Sequence, residues 1–266
     1  MKNHEIVSIE KMRLVFPTRV HRPNSLRDVF VKTLTNPTEV LLRKPQYLEV
    51  IRSLDLSVAK GDRIALMGVN GAGKTSLCRA IAGFYRPTSG DITVRGEVRA
   101  IFDTMIGIYP ELTGRENAFI LAGLLFPKLK SREELLKEAL DFSELGHFLD
   151  TPFKYYSNGM QVRLCLSVLT MEPTDLLILD EVFEGADQFF REKIALRTLQ
   201  MIEKSGAVIF VSHNEDQLLR VCNRAVILRH GELYFDGDLR EGLERYRTAD
   251  PQRDEAAAPG SIQFRS

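Results

Sequence analysis

The residues with the clearest chemistry lie in one glycine-rich segment in the first third of the chain. It reads Gly68-Val69-Asn70-Gly71-Ala72-Gly73-Lys74-Thr75 and matches the pattern G-x-x-x-x-G-K-[ST]. The backbone N–H groups of such a loop surround phosphates, and glycines allow the backbone to adopt the required conformation. The pattern assigns Lys74 to the β- and γ-phosphates and Thr75 to Mg²⁺. The predicted nucleotide-binding residues are Gly68, Asn70, Gly71, Ala72, Gly73, Lys74, Thr75 and Ser76.

Two acidic residues, Asp180 and Glu181, directly follow the apolar run 176–179. At the C-terminal end of a buried strand, Asp180 suits a Mg²⁺-holding role and Glu181 suits the polarisation of an attacking water. The alternative is a pair of solvated charges after a core strand. The phosphate-binding loop favours the catalytic interpretation.

A third segment, Tyr155-Tyr156-Ser157-Asn158-Gly159-Met160, precedes an apolar helix. A Ser and a Gly at a helix N-terminus can bind an anion through backbone N–H groups and the helix dipole. The same residues also fit an ordinary serine N-cap, which would be the simpler interpretation if this segment stood alone.

Apolar runs and helical periodicities alternate along the chain, which predicts an α/β fold with a mostly parallel sheet and crossover helices. Helices are expected from a capping box at Ser131–Glu134, from Ser157, and over Phe189–Ile202, with a short amphipathic helix over 26–34 and another near 39–43. The predicted strands are Glu5–Phe16 (stopped by Pro17), Tyr47–Val58, Ile64–Met67, Asp91–Phe102 (with a turn at Gly96), Leu176–Leu179, Ala207–Val211, Ala225–Leu228 and, after a His230-Gly231 hairpin turn, Leu233–Phe235.

Composition is that of a soluble globular protein. The 266 residues are 44% hydrophobic and 27% charged, and 36 basic residues balance 36 acidic ones. A neutral total gives no support for nucleic-acid binding. No apolar run reaches the length of a membrane span, and the N-terminus lacks a signal-peptide core. Three widely spaced cysteines form no disulfide or metal pattern and suggest a reducing compartment.

In the order of these motifs the chain resembles the ATP-binding cassette (ABC) family, whose signature L-S-G-G-Q corresponds to residues 156–160. Asn158 replaces a glycine, which we expect to be tolerated because Asn accepts left-handed backbone angles. The resemblance implies a P-loop NTPase sheet core with an antiparallel β subdomain and a helical subdomain at about 104–172, within an ATPase domain over 1–248 that contains an insert at about 17–47. The tail 249–266 is expected to be disordered.

The resemblance also implies roles for single residues. Ser157 and Gly159 contact the γ-phosphate held by the other subunit of a homodimer, and Asp187 lies in the loop that contacts that subunit. His213 hydrogen-bonds the γ-phosphate, and Phe16 stacks on adenine unless it is only a core residue at a strand end. The family's usual glutamine is missing, and Asp103 is the substitute assigned to Mg²⁺ or water.

Three segments, together with the insert at 17–47, resemble the ATPases that export O-antigen, capsule or teichoic-acid polysaccharides: Pro110–Asn117, Lys154–Met160 and Asp180-Glu181-Val182. That branch implies ATP and Mg²⁺ as cofactors, a homodimer beneath two membrane permease subunits, and a peripheral location on the cytoplasmic face of the inner membrane. The permease's coupling helix would bind near 113–125. The helix at 26–34 would contact the membrane or permease, or pack on its own domain. We expect no glycan-binding domain, so that the permease or another protein recognises the glycan.

Other functions remain open from the sequence. The cargo could be a lipid or a small molecule, or the chain could be a soluble ABC ATPase acting on DNA or the ribosome. One set of motifs and the absence of a long heptad run argue against the second. A small-molecule kinase with a phosphate-binding loop does not account for the signature, Glu181 and His213 together.

Overall fold

The structure is a computed structural model that describes residues 5–18, 46–102, 107–127, 130–180, 188–212 and 214–248. The predicted helices at 26–34 and 39–43, and the predicted tail at 249–266, lie outside these residues.

Strands and helices alternate through the described residues, as the sequence predicts. The strands are β1 (Glu5–Thr18), β2 (Gln46–Ala59), β3 (Arg63–Met67), β4 (Ser89–Val94), β5 (Val98–Ile101), β6 (Leu176–Asp180), β7 (Ala207–Val211), β8 (Arg224–Arg229) and β9 (Glu232–Asp238). The helices are α1 (Lys74–Ile81), α2 (Gly114–Leu125), α3 (Arg132–Ser143), α4 (Asn158–Leu169), α5 (Gln188–Lys204), α6 (Glu215–Val221) and α7 (Leu239–Thr248). Two short 3-10 helices precede α4, at Gly146–Asp150 and Phe153–Tyr155.

The strand order is β4-β1-β2-β9-β8-β3-β7-β6-β5. The core strands β5, β6, β7, β3 and β8 pair in parallel, whereas β1 pairs antiparallel with β2 and β4. The hairpin of β8 and β9 turns at His230 and Gly231, both at positive φ as a type I′ turn requires. This arrangement agrees with a parallel core plus an antiparallel β layer.

The central strands are buried on both faces, and alternate side chains enter two different apolar clusters. In β3, Ile64 and Leu66 pack with β1, β2 and α1, whereas Ala65 and Met67 pack with the helices α2 to α7. A period of two places successive side chains on opposite faces, so a continuous apolar run is what a doubly covered parallel strand requires.

Three local predictions need correction. The segment Asp91–Phe102 contains two strands at opposite edges of the sheet: β4 ends at Val94, Gly96 follows at positive φ, and β5 then pairs with β6. Pro17 does not end β1, which continues to Thr18; among the described strands, the part of β1 beyond Arg13 pairs with β2 alone. Ser131 makes no side-chain capping bond to α3; the capping box that forms is Thr113 with Glu116, at the start of α2. Within the described residues, no helix has the length and apolar character needed to cross a bilayer.

Candidate functional site

The glycine-rich loop connects the end of β3 to the start of α1, as the sequence pattern predicts. Two of its glycines could not be replaced without strain. Gly68 has φ +149°, and a Cβ there would lie 2.5 Å from the carbonyl oxygen of Leu228. Gly73 is the N-cap of α1 with φ +103°, and its Cβ would lie 3.1 Å from the carbonyl oxygen of Val50. The loop therefore follows a path that only glycine permits, between neighbouring strands.

Lys74 is the first residue of α1 and is largely buried. Its ammonium group donates to the carbonyl oxygens of Gly68, at 2.7 Å, and Val69, at 3.2 Å. These bonds hold the cation inside the curve of the loop, where it can contact an anion bound there.

Thr75 and Asp180 are 105 residues apart in sequence but touch in the structure. The Thr75 hydroxyl donates to the Asp180 carboxylate at 2.9 Å. The parallel register brings them together, because β3 and β6 both pair with β7 and their C-terminal ends reach the same edge of the sheet.

The hydroxyl and carboxylate of this pair are hard oxygen ligands of the kind that Mg²⁺ prefers. In the part of the chain that the structure describes, no group of three or more His, Cys, Asp and Glu side chains could hold a metal ion. Magnesium does not need such a group, since it keeps several waters and takes only one or two protein ligands beside phosphate oxygens. The residues therefore fit Mg²⁺ bound together with a nucleotide.

A cavity of about 670 Å³ opens in front of the loop. Its lining contains three apolar residues that the sequence reasoning missed: Leu48, Val50 and Phe102. Leu48 and Val50 lie on β2 and Phe102 follows β5, so two distant strands form the apolar walls. No local motif marks them, because ordinary apolar strand residues acquire this role only through the pairing of the strands. The full lining is Leu48, Val50, Asn70, Gly71, Gly73, Lys74, Thr75, Ser76, Phe102 and Asp180.

Phe16 is paired with Leu48 in the antiparallel ladder of β1 and β2, so both side chains are on one face. Its ring is partly buried and packs edge to face on Tyr85, with 5.0 Å between ring centroids. Phe16 is thus next to the wall of the cavity but is not part of the lining. Its predicted contact with adenine stays a prediction.

Cys78 lies on α1, one turn after the phosphate-binding residues, and is fully buried. Burial raises the pKa of this thiol strongly, and the nearby Asp180 carboxylate raises it further. Cys78 is therefore a neutral core side chain at physiological pH.

The predicted signature residues lie at the start of α4. Ser157 has extended backbone angles, and its hydroxyl accepts a hydrogen bond from the N–H of Met160 at 3.3 Å. The structure therefore contains the serine N-cap, and Gly159 lies in the first turn of the same helix. The prediction that Asn158 is tolerated through left-handed backbone angles is wrong. Asn158 is the first helical residue and does not have positive φ, so no left-handed angle is needed there.

Tyr156 occupies the position of the signature's leucine and is buried in the helical layer. Its ring stacks on Phe153 at 5.0 Å between centroids, and its hydroxyl donates to the carbonyl oxygen of Phe148 at 2.7 Å. Burial raises the pKa of Tyr156 to about 12, so the hydroxyl remains a donor at all physiological pH values. The residue before Ser157 is therefore held in place by its buried side chain.

The structure brings Lys74, Thr75 and Asp180 together at one cavity. Four predicted site residues lie outside the described residues: Asp103, Glu181, Asp187 and His213. In sequence, Glu181 directly follows Asp180 and His213 directly follows Ser212. The roles of all four remain predictions.

Comparison with known proteins bears on the family and the fold of the chain. The family described as ABC transporter matches residues 51–184. The chain is 38% identical over 210 residues to the O-antigen export system ATP-binding protein RfbB of Klebsiella pneumoniae, covering 79% of this chain and 85% of the relative. It is 32% identical over 223 residues to the teichoic acids export ATP-binding protein TagH of Enterococcus faecalis (strain ATCC 700802 / V583), covering 84% of this chain and 50% of the relative.

A solved structure has the same fold. It is the dimeric, post-hydrolysis state of an ATP-binding cassette bound to ADP and Pi, with a TM-score of 0.64 and 18% identity, covering 88% of this chain and 98% of the other. These findings confirm the predicted fold class and the predicted resemblance to polysaccharide exporters. The chain therefore belongs to the ABC transporter family, as one of its nucleotide-binding ATPase chains.

Proposed function

We propose that this chain is the ATP-hydrolysing subunit of a transporter that exports a lipid-linked cell-surface polysaccharide. The observation that supports nucleotide chemistry best is the 2.9 Å hydrogen bond between Thr75 and Asp180, beside the buried Lys74 and in front of the 670 Å³ cavity. The relatives named for O-antigen and teichoic acid export support the cargo class.

In the proposed reaction, the glycine-rich loop and Lys74 bind the phosphates of ATP. Thr75 and Asp180 hold Mg²⁺, which neutralises phosphate charge when it is bound. Glu181 orients and polarises the attacking water, and His213 hydrogen-bonds the γ-phosphate. Phe16 contacts adenine at the apolar end of the cavity.

The proposed active unit is a homodimer in which each chain completes the other's site. Ser157 and Gly159 contribute their exposed helix N-terminus to the γ-phosphate bound by the partner, and Asp187 contributes to the same interface. Hydrolysis removes the phosphate that joins the two halves, so they separate, which couples chemistry to motion. The dimeric state of the structurally similar cassette supports a homodimer.

The permease subunits would bind at the helical layer, on the cytoplasmic face of the membrane. Exposed apolar side chains lie on and before α2: Tyr109, Phe119 and Leu124 are 57%, 54% and 62% exposed. We propose that these side chains contribute to the permease contact, since large exposed apolar patches mark protein–protein interaction sites. These side chains lie within and next to residues 113–125, the segment near which the permease's coupling helix is predicted to bind.

The ATPase mechanism is tested by Glu181→Gln. Removing the carboxylate leaves the phosphate-binding residues intact, so we expect ATP binding to remain and turnover to fall by roughly 100-fold or more. Closed dimers should then accumulate with ATP and Mg²⁺, as measured by size-exclusion chromatography. The matched control is Glu133→Gln on the exposed side of α3, which should leave turnover unchanged. Near-normal turnover in Glu181→Gln would contradict the assigned role.

The cargo is tested in proteoliposomes that contain the chain and the permease with which it copurifies. ATP hydrolysis is measured with a lipid-linked glycan, with the same lipid carrier lacking the glycan, and with neither. We expect stimulation only by the glycan-bearing lipid. Equal stimulation by the bare lipid carrier would show that the cargo is a lipid and would reject polysaccharide export.

A further inference from the structure

Two loops of the helical layer lie side by side and lead to the two functional parts of that layer. Residues 109–114 enter α2, whose exposed face is the proposed permease surface. Residues 151–156 lead directly to Ser157. We call these two segments the paired loops. Thr113 and Pro152 form an isolated antiparallel bridge between them.

Backbone hydrogen bonds join the paired loops along most of their length. Phe153 N–H donates to the Leu112 carbonyl at 2.8 Å, and Lys154 N–H donates to the Pro110 carbonyl at 2.9 Å. Gly114 N–H donates to the Thr151 carbonyl at 3.3 Å. Such bonds do not depend on side-chain identity, and they join the two loops directly.

One ion pair connects the paired loops on the surface, and a second joins the residues next to them. The Lys154 ammonium donates to the Glu111 carboxylate at 2.6 Å, which raises the pKa of Lys154. The Arg115 guanidinium binds both carboxylate oxygens of Asp150, at 2.9 and 3.3 Å. Two-point contacts of this kind restrict rotation as well as distance.

Asn117 fixes the shape of the first loop from inside. It is completely buried on α2, and all its polar atoms are used. Its side-chain oxygen accepts from the Tyr109 N–H at 2.7 Å, and its amide donates to the carbonyls of Tyr109, Leu112 and Thr113 at 2.9 to 3.2 Å. A buried amide satisfied in this way specifies one loop conformation.

Gly114 lies against the side chain of Tyr156, the residue before Ser157. A Cβ at Gly114 would overlap the hydroxyl oxygen of Tyr156 and lie 2.9 Å from its Cζ. Gly114 does not have positive φ, so the reason for a glycine here is space and not backbone conformation. The start of α2 therefore rests directly on the residue before Ser157.

We propose that the paired loops are a positioning device for Ser157, and that Gly114, Asn117 and the Glu111–Lys154 pair are its positioning residues. A partner that displaces loop 109–114 displaces Tyr156 and, with it, Ser157. The same element that faces the proposed permease surface thus controls whether Ser157 can reach the partner's γ-phosphate. This inference rests on the proposed function.

The direct test is Gly114→Ala, with Gly123→Ala as its matched control. Both glycines lie on α2, but a Cβ at Gly123 would meet no atom of the described residues within 4 Å. We expect Gly114→Ala to reduce kcat by roughly 10- to 100-fold, because small displacements of positioning groups have effects of that order. Its affinity for a fluorescent ATP analogue should equal that of the wild type, since the phosphate loop is untouched. Gly123→Ala should change neither quantity.

A second variant separates geometry from loss of folding. Gly114→Ala combined with Tyr156→Phe removes the overlapping oxygen but leaves the contact with Cζ, so part of the lost kcat should return. If Gly114→Ala does not fold, charge reversal at the Glu111–Lys154 pair tests the proposal instead. Glu111→Lys and Lys154→Glu should each lower kcat without changing nucleotide affinity. The double reversal should restore kcat. No effect of either single reversal would then reject the proposal.

The closing measurement distinguishes this proposal from the proposed function. Gly114→Ala is placed in the Glu181→Gln background, and ATP-dependent dimers are counted. The absence of dimers in the Glu181→Gln parent would refute the proposed function itself. Dimers in the parent that are equally abundant with Gly114→Ala would refute only the positioning role. Dimers in the parent that disappear with Gly114→Ala are the expected result.

Discussion

The two regions assigned to nucleotide phosphates are held in place in different ways. The phosphate-binding loop is enclosed by the core: Gly68 lies against the Leu228 carbonyl, and the Lys74 ammonium is bound inside the loop. The signature segment lies on the helical layer, where loop-to-loop hydrogen bonds and exposed ion pairs support it. The sheet fixes the first region, whereas the second depends on contacts between two loops at the surface of the helical layer.

This difference suits two separate roles, ATP binding in the first region and response to a partner in the second. Binding ATP requires a pre-formed anion site, and a buried cation held by two carbonyls provides one. Responding to a partner requires an element of lower local stability, and such elements have many exposed polar contacts and few buried apolar ones. Lys154 and Glu111 are 40% and 77% exposed, which fits the second description.

The largest effect is expected at the phosphate-binding loop. Lys74→Ala removes the cation that neutralises the phosphates and leaves the Gly68 and Val69 carbonyls without this donor. We expect ATP hydrolysis to fall by about 10²- to 10³-fold and nucleotide affinity to fall with it. Isothermal titration and a phosphate-release assay measure both. Lys60→Ala, in an exposed turn, is the control and should behave as wild type. If Lys74→Ala bound ATP with wild-type affinity, the phosphate-binding loop would not be the pre-formed anion site that the comparison of the two regions assumes.

An intermediate effect is expected at Ser157, where two substitutions separate its two roles. Ser157→Ala removes the N-cap and should lower the free energy of unfolding by about 1 kcal/mol. Ser157→Asp keeps a capping oxygen but places a negative charge where the partner's γ-phosphate would bind. Both variants should lower ATP-dependent dimer formation, and only the alanine variant should lower the thermal midpoint. A dimerising Ser157→Asp variant would show that the serine is only a cap.

The smallest effect is expected at Asp150, which forms an exposed ion pair with Arg115 next to the paired loops. The hydrogen bond from Arg115 lowers the pKa of Asp150, so the folded state favours its ionised form. The pair therefore stabilises the fold at pH values above the ordinary aspartate pKa, about 4, and the contribution is lost as pH falls through the lowered value. Asp150→Asn should lower the thermal midpoint slightly at neutral pH.

The check on that prediction is a pair of thermal melts over a pH series. The midpoints of wild type and Asp150→Asn should converge in acid, since protonated Asp150 no longer attracts Arg115. The control Asp91→Asn, an exposed carboxylate on β4, should be indistinguishable from wild type throughout. A difference between the two thermal midpoints that grows as pH falls would contradict the stabilising role assigned to ionised Asp150.

Much of the fold follows from local patterns. The run 64–67 is apolar at every position, which is what burial on both faces requires, and it forms β3 with alternate residues in two clusters. The His230-Gly231 turn and the helix after Ser157 were also predictable, because positive φ and N-capping depend on residues adjacent in sequence. The capping box was assigned to the wrong helix: Ser131 and Thr113 have equivalent patterns, and only the path of the chain decides which hydroxyl reaches an N–H.

The sequence by itself determined the chemistry of the site: the glycines and Lys74 of one loop, and the carboxylate of Asp180, are fixed by short motifs with a physical meaning. Only the tertiary structure decided what surrounds them. It separated β4 and β5 to opposite edges of the sheet, brought Leu48 and Phe102 to the same cavity, and placed Gly114 against Tyr156. The physical reason is that these contacts join residues far apart in the chain, and their partners are chosen by strand pairing and packing, which no local pattern encodes.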